Sequence, residues 1–148
     1  MKLYHQVMGS GPALIWLHGL LGQGSMFAPI ASKLNGKHYL LDLRNHEKSP
    51  RHPDCSYYAM ASDLANFYTS EKIQNAILVG HSMGGKAALQ FSIQNPDKVS
   101  KLILLDIAPT NNLVYTAEYV SALKSALTHA MSIRMNGKTR KEVIAELK

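Results

Sequence analysis

Residues 76–95 read AILVGHSMGGKAALQFSIQN. An apolar run, Ala76-Ile77-Leu78-Val79, stops at Gly80-His81-Ser82-Met83-Gly84, and a helix-period pattern begins at once. That order predicts a strand, a sharp turn and a helix, with one serine at the apex. Glycines two residues before and two after Ser82 leave room for a turn that strains the serine backbone and lifts its Oγ above the sheet. Ser82 is therefore placed as a nucleophile, at what is known as a nucleophile elbow. Ala87, Ala88, Phe91 and Ile93 supply the helix face expected to pack on the preceding strand.

Working outward, strand and helix patterns alternate. KLYHQV at residues 2–7 reads as a short strand, and Gly9-Ser10-Gly11-Pro12 as a turn. ALIWLHG, residues 13–19, is continuously apolar and reads as a strand buried on both faces. It runs into His18-Gly19-Leu20-Leu21-Gly22, a loop able to bring backbone N–H groups to the end of the sheet. Ser25 is expected to cap a helix over Met26, Phe27, Ile30, Ala31 and Leu34, with Gly36 as its stop. HYLLDL at residues 38–43 is the next strand, followed by the polar turn Arg44 to Pro50. Tyr58, Ala61, Leu64, Ala65 and Tyr68 mark one helix face, and LILLDI at residues 102–107 reads as a further buried strand. The alternation predicts an α/β fold with a mostly parallel sheet, helices on both faces, and active residues at the carboxyl ends of the strands. His18, Ser82 and Asp106 fall at such ends.

From Leu113 the pattern changes. Leu113, Ala117, Val120, Leu123, Leu127 and Met131 recur at helical spacing, Gly137 breaks the pattern, and Val143, Ile144 and Leu147 resume it. The expected division is a core over residues 1–112 and a separate helical segment over 113–148.

Bulk composition narrows the function classes. With 46% hydrophobic and 18% charged residues, the 148-residue chain has enough apolar material for one folded core, which argues against disorder. No apolar run approaches the roughly 20 residues of a membrane span, and the start lacks a signal-peptide layout. One cysteine, Cys55, has no internal disulfide partner, which is compatible with a reducing, cytoplasmic location. The net charge of +6 divides into +2 over residues 1–123 and +4 over 124–148, where basic and acidic residues alternate as on a solvated helix face. No basic groove with interleaved aromatics is present, so nucleic acid is not an expected partner. The histidines are scattered and none forms H-E-x-x-H, so no metal is expected.

WLHGLLG (16–22), DLRNHEKSP (42–50), GHSMGGK (80–86) and LLDIAP (104–109) occur in an order and at separations that resemble the α/β-hydrolase superfamily. Together they look most like the YbfF-type esterases and ABHD11-like hydrolases, over residues 13 to about 112. The resemblance implies that Ser82 is the nucleophile and that the backbone N–H groups of Leu20 and Met83 form an oxyanion hole. It makes His81 a flanking residue, His18 a brace of the oxyanion loop, and residues 113–148 the start of a helical cap. It implies small ester or thioester substrates and no cofactor. Asp106 has two readings, triad acid or buried hydrogen-bonding residue; Asp42 is usually structural at its position. Glu47 departs from the family, which usually has glycine there.

Family order is serine, acid, then histidine near the end of a chain of about 250 residues. Only His129 follows Asp106, inside the cap-like pattern, so the catalytic histidine is expected to be missing and activity impaired. The chain reads as part of a longer hydrolase, and the LILLDI strand as an exposed sheet edge open to association. Two other classes compete. Gly80 to Lys86 also satisfies the spacing of a nucleotide-binding P-loop, but Ala87 stands where a hydroxyl should reach Mg²⁺. A non-catalytic interaction scaffold on the hydrolase fold accounts for the missing histidine equally well.

Overall fold

A computed structural model describes residues 1–107 together with Ser125. The cap-like helix from Leu113, the boundary at residue 112, His129 and the basic tail lie outside the described residues. Residues Met1–Pro109 group as one compact unit.

Among the described residues, five strands form one sheet: β1 (His5–Ser10), β2 (Ala13–Leu17), β3 (Gly36–Leu41), β4 (Ala76–His81) and β5 (Val99–Leu105). Their order is β1-β3-β2-β4-β5; β1 runs antiparallel to β3, and every other neighbouring pair is parallel. The mostly parallel α/β fold expected from the alternating pattern is what forms.

β2 is apolar throughout, and β3 and β4 largely so, because both faces of the central strands are covered. Ile15 and Leu17 of β2 join Leu41, Leu64, Leu78, Ala88 and Phe91 in one core layer. Leu14 and Trp16, pointing the other way, join Phe27, Ala31, Leu40 and Val79 in the second. The first layer is closed by α1 (Tyr57–Ser70) and α2 (Met83–Gln94), the second by a short helical segment at residues 24–31. The Ser56 hydroxyl caps α1 by accepting from the Ala59 N–H at 3.2 Å. Trp16 Nε1–H donates to His38 Nδ1 at 3.1 Å, which satisfies the indole inside the second layer.

Several local expectations are corrected. Ser25 caps nothing: residues 24–27 form a 3₁₀ turn, and the α-helical part is only Ala28–Ala31. Gly36 opens β3 and does not stop a helix. Ile93 is exposed, because it lies about 200° around the helix from Phe91. Tyr58 is exposed as well, and Met60 and Phe67 take the buried face of α1 together with Leu64 and Tyr68. β5 is not buried on both faces, in line with its other reading as an exposed sheet edge. Lys101, Ile103 and Leu105 are exposed, and among the described residues β5 pairs only with β4.

The connection leaving β2 runs over one face of the sheet and the helix leaving β4 runs over the other. These two strands are neighbours, so their carboxyl ends open a crevice at the switch point of the topology. Ser82 immediately follows β4 there.

Candidate active site

Ser82 has φ 49° and ψ −115°, a conformation that non-glycine residues adopt only under compulsion. Close packing supplies the compulsion. A methyl group on Gly84 would lie 2.3 Å from the Leu17 carbonyl oxygen, and one on Gly80 would lie 2.6 Å from the Gly84 oxygen. The first turn of α2 thus sits against the ends of β2 and β4 at a distance that only glycine permits. The Ser82 N–H donates to the Leu105 carbonyl at 3.1 Å, which fixes the turn to β5. Met83 is the first residue of α2, so its N–H has no intrahelical acceptor.

The loop after β2 comes up beside this turn. A methyl group on Gly19 would lie 3.3 Å from Ser82 Cβ and 2.8 Å from His81 Nδ1. The loop closes on itself through Gly22 N–H to Gly19 O at 3.0 Å, and Leu21 at its tip is left-handed with φ 59°. Leucine in that region costs about 1–2 kcal/mol, so the conformation must be held from outside. Three side chains hold it. His18, fully buried, accepts from the Leu43 N–H at Nε2 (3.0 Å); Nδ1 therefore carries the proton and donates to Gly19 O (2.7 Å). Burial lowers the pKa of His18, only partly offset by the bond to Gly19, so the ring is neutral. His46 accepts from the Leu21 N–H at Nε2 (3.2 Å) and donates from Nδ1 to Arg44 O (2.9 Å). Asp42, also buried, accepts from Gly24 N–H at 2.8 Å and from Lys48 N–H at 3.3 Å, a structural role.

The opposite flank carries few contacts among the described residues. Asp106 follows β5 with φ 53°, and its side chain is 92% exposed. This removes the buried hydrogen-bonding reading of Asp106. Its nearest described charge partner is His81, with Nε2 3.9 Å from Oδ2. His81 Nδ1 is buried without a hydrogen-bond partner, against Gly19.

Glu47 adopts φ 39°, the left-handed geometry that glutamate resists, and Asn45 is at 67°. His46 lies between them, aimed at Leu21. Nothing in the local sequence marks that role, since the bond joins residues 25 apart in the chain. Lys86 is buried within α2, and Gly84 and Gly85 are helical, so the P-loop spacing does not correspond to a phosphate-cradling loop.

Sequence and structure comparisons agree with this architecture. The chain is 34% identical over 146 residues to the mouse sn-1-specific diacylglycerol lipase ABHD11, covering 91% of this chain and 48% of that protein. It is 34% identical over 119 residues to esterase YbfF of Escherichia coli, covering 79% of this chain and 47% of that protein. A solved marine microorganism esterase superposes with a TM-score of 0.86 at 41% identity, covering 99% of this chain and 57% of its own. The chain therefore spans about half the length of these relatives. The family signature of the alpha/beta hydrolase fold matches residues 12–129, and with it the chain belongs to the α/β-hydrolase family.

Proposed function

We propose that this chain carries the nucleophile half of a serine hydrolase acting on small carboxylic esters or thioesters. The observation that carries the reading is the strained, positive-φ Ser82 between β4 and α2 at the switch point of the sheet. Ser82 Oγ attacks the acyl carbon while its proton passes to a base; the carbonyl oxygen becomes an oxyanion. The N–H groups of Leu20 and Met83 receive that charge, and each such donor is worth about 3–4 kcal/mol in the transition state. Collapse expels the alcohol or thiol, which takes up the proton. Water then attacks the acyl-Ser82 ester, and the acid is released with the serine restored. Asp106 is the proposed orienting acid: its exposed carboxylate can accept from an incoming imidazole.

None of the described histidines is placed as the base: His5 lies on β1 at the far edge of the sheet, and His52 Nδ1 accepts from the Asp54 N–H. Both ring nitrogens of His18 and of His46 are engaged, and those of His38 bond Trp16 and approach Leu34 O. His81 presents a buried Nδ1 to Gly19 and directs Nε2 toward Asp106. This supports the second reading, a non-catalytic scaffold in which the serine site is inherited but unpowered.

Labelling with a fluorophosphonate, read by intact mass, separates the two. The unsubstituted chain and Ser82→Ala are compared, with circular dichroism showing both folded. Rapid single labelling abolished by the substitution means a working base, and His129 becomes the first residue to replace. A folded chain that does not label ends the hydrolase reading for these 148 residues and leaves the scaffold.

A further inference from the structure

We propose that His46 is a positioning residue whose Nε2 lone pair fixes the Leu21 N–H and so sets the direction of the adjoining Leu20 amide. The inference rests on the oxyanion-hole reading above, and it assigns the polar turn after β3 a task in that chemistry. Leu21 is 71% exposed, so its side chain contributes little to hold the tip of the loop. The internal bond from Gly22 to Gly19 closes the turn but leaves its middle amides free to rotate between alternative turn conformations. The bond from Leu21 N–H to His46 Nε2 selects one of them, the one with Leu21 left-handed. Rotating the Leu20–Leu21 peptide away would break that bond, turn the Leu20 carbonyl over and change ψ of Leu20, next to the Gly19–Leu20 amide.

The His46 ring is itself held on several sides. Nδ1–H donates to Arg44 O, the ring meets His18 edge-on with centroids 4.8 Å apart, and its backbone N–H donates to Leu43 O at 3.1 Å. Its carbonyl accepts from Ser49 N–H at 3.0 Å. Two left-handed residues, Asn45 and Glu47, bracket it. Strain is retained where surrounding bonds over-determine a geometry, and here they direct one imidazole at the loop beside Ser82. Gln is the side chain that can replace it in function, since its Oε1 reaches about as far as imidazole Nε2 and can accept the same bond.

The test uses the whole chain in three forms: unsubstituted, His46→Leu and His46→Gln. In the unsubstituted protein, ¹⁵N spectra of the ring should show Nδ1 protonated and Nε2 bare, and the Leu21 amide should exchange slowly despite its exposure. His46→Leu should speed that exchange by about tenfold or more, and His46→Gln should restore most of the protection. Fluorophosphonate labelling of Ser82 should slow about tenfold in His46→Leu and recover in His46→Gln, the rescue that a merely space-filling role would not give. A ring protonated at Nε2, or Leu21 exchange unchanged in a folded His46→Leu, overturns the proposal. If His46→Leu does not fold, the ring tautomer and His46→Gln decide it. Should the unsubstituted chain fail to label, the hydrolase reading falls, while exchange and tautomer still show whether His46 holds the loop.

Discussion

The loop after β2 and the carboxyl end of β5 flank the same serine and are anchored in opposite ways. On one side His18, His46 and Asp42 spend their polar atoms on backbone groups of residues 19–24 and of the chain after β3. On the other, Asp106 is 92% exposed and among the described residues meets one histidine, at 3.9 Å. The difference separates two tasks. Stabilising an oxyanion requires dipoles fixed in advance, because reorienting them during the reaction would consume the energy they supply. Orienting a base requires the base, and the proposed function assigns none to the described residues. If Leu20 and Met83 are the oxyanion donors, as proposed, the anion-stabilising side lies within residues 1–107.

Removing the buried imidazole is the largest single disturbance this contrast predicts. His18→Ala strands the Leu43 N–H, leaves Gly19 O with the Gly22 N–H as its remaining donor and opens a cavity at the ends of β2 and β3, so a loss of about 2–4 kcal/mol is expected in urea unfolding. A loss below about 0.5 kcal/mol would mean that the loop is held without it.

Acid should probe the same side more gently. Burial lowers the pKa of His18 in the folded chain, so between that value and the ordinary histidine value of about 6.5 the unfolded chain binds the extra proton. Stability from this group is therefore complete above about pH 6.5 and falls as pH drops below it, by at most about 1.4 kcal/mol per pH unit. Unfolding at pH 7.5 and 5.5 should show a steeper decline for the unsubstituted chain than for His18→Gln. Equal slopes would assign the acid sensitivity elsewhere.

These contrasts were unevenly legible in the sequence. The Gly80-to-Gly84 spacing states its own geometry, because only that turn explains glycine at both places. β2 and β4 were readable since continuous apolar runs mean two covered faces. LILLDI has the same composition as the interior strands, yet β5 is half exposed, because place in a sheet depends on neighbours that local periodicity does not encode. The brace from His46 to Leu21 was invisible for a related reason: it joins two loops that become adjacent only when β2 and β3 pair. Asp106 was recognisable as a strand-end carboxylate, but its exposure was not.

Glu47 offers a stabilising test of the braced side. At φ 39° it occupies backbone space that glycine enters without strain. Glu47→Gly should raise stability by about 1 kcal/mol, with the gain of relieved strain exceeding the added flexibility of the unfolded chain. A loss of stability would show that the glutamate side chain makes up for its backbone.

The smallest effect is expected at Asp106, and it sharpens the comparison most. Asp106→Asn keeps a residue that tolerates positive φ and removes only the charge. A carboxylate 92% exposed, 3.9 Å from a histidine, sits where solvent screens most of the attraction. Stability should change by less than about 0.5 kcal/mol, against several for His18→Ala. If labelling of Ser82 nevertheless falls about tenfold or more in Asp106→Asn, the carboxylate acts on the chemistry and not on the fold, as an orienting acid should. If labelling and stability are both unchanged, Asp106 has no part in the site.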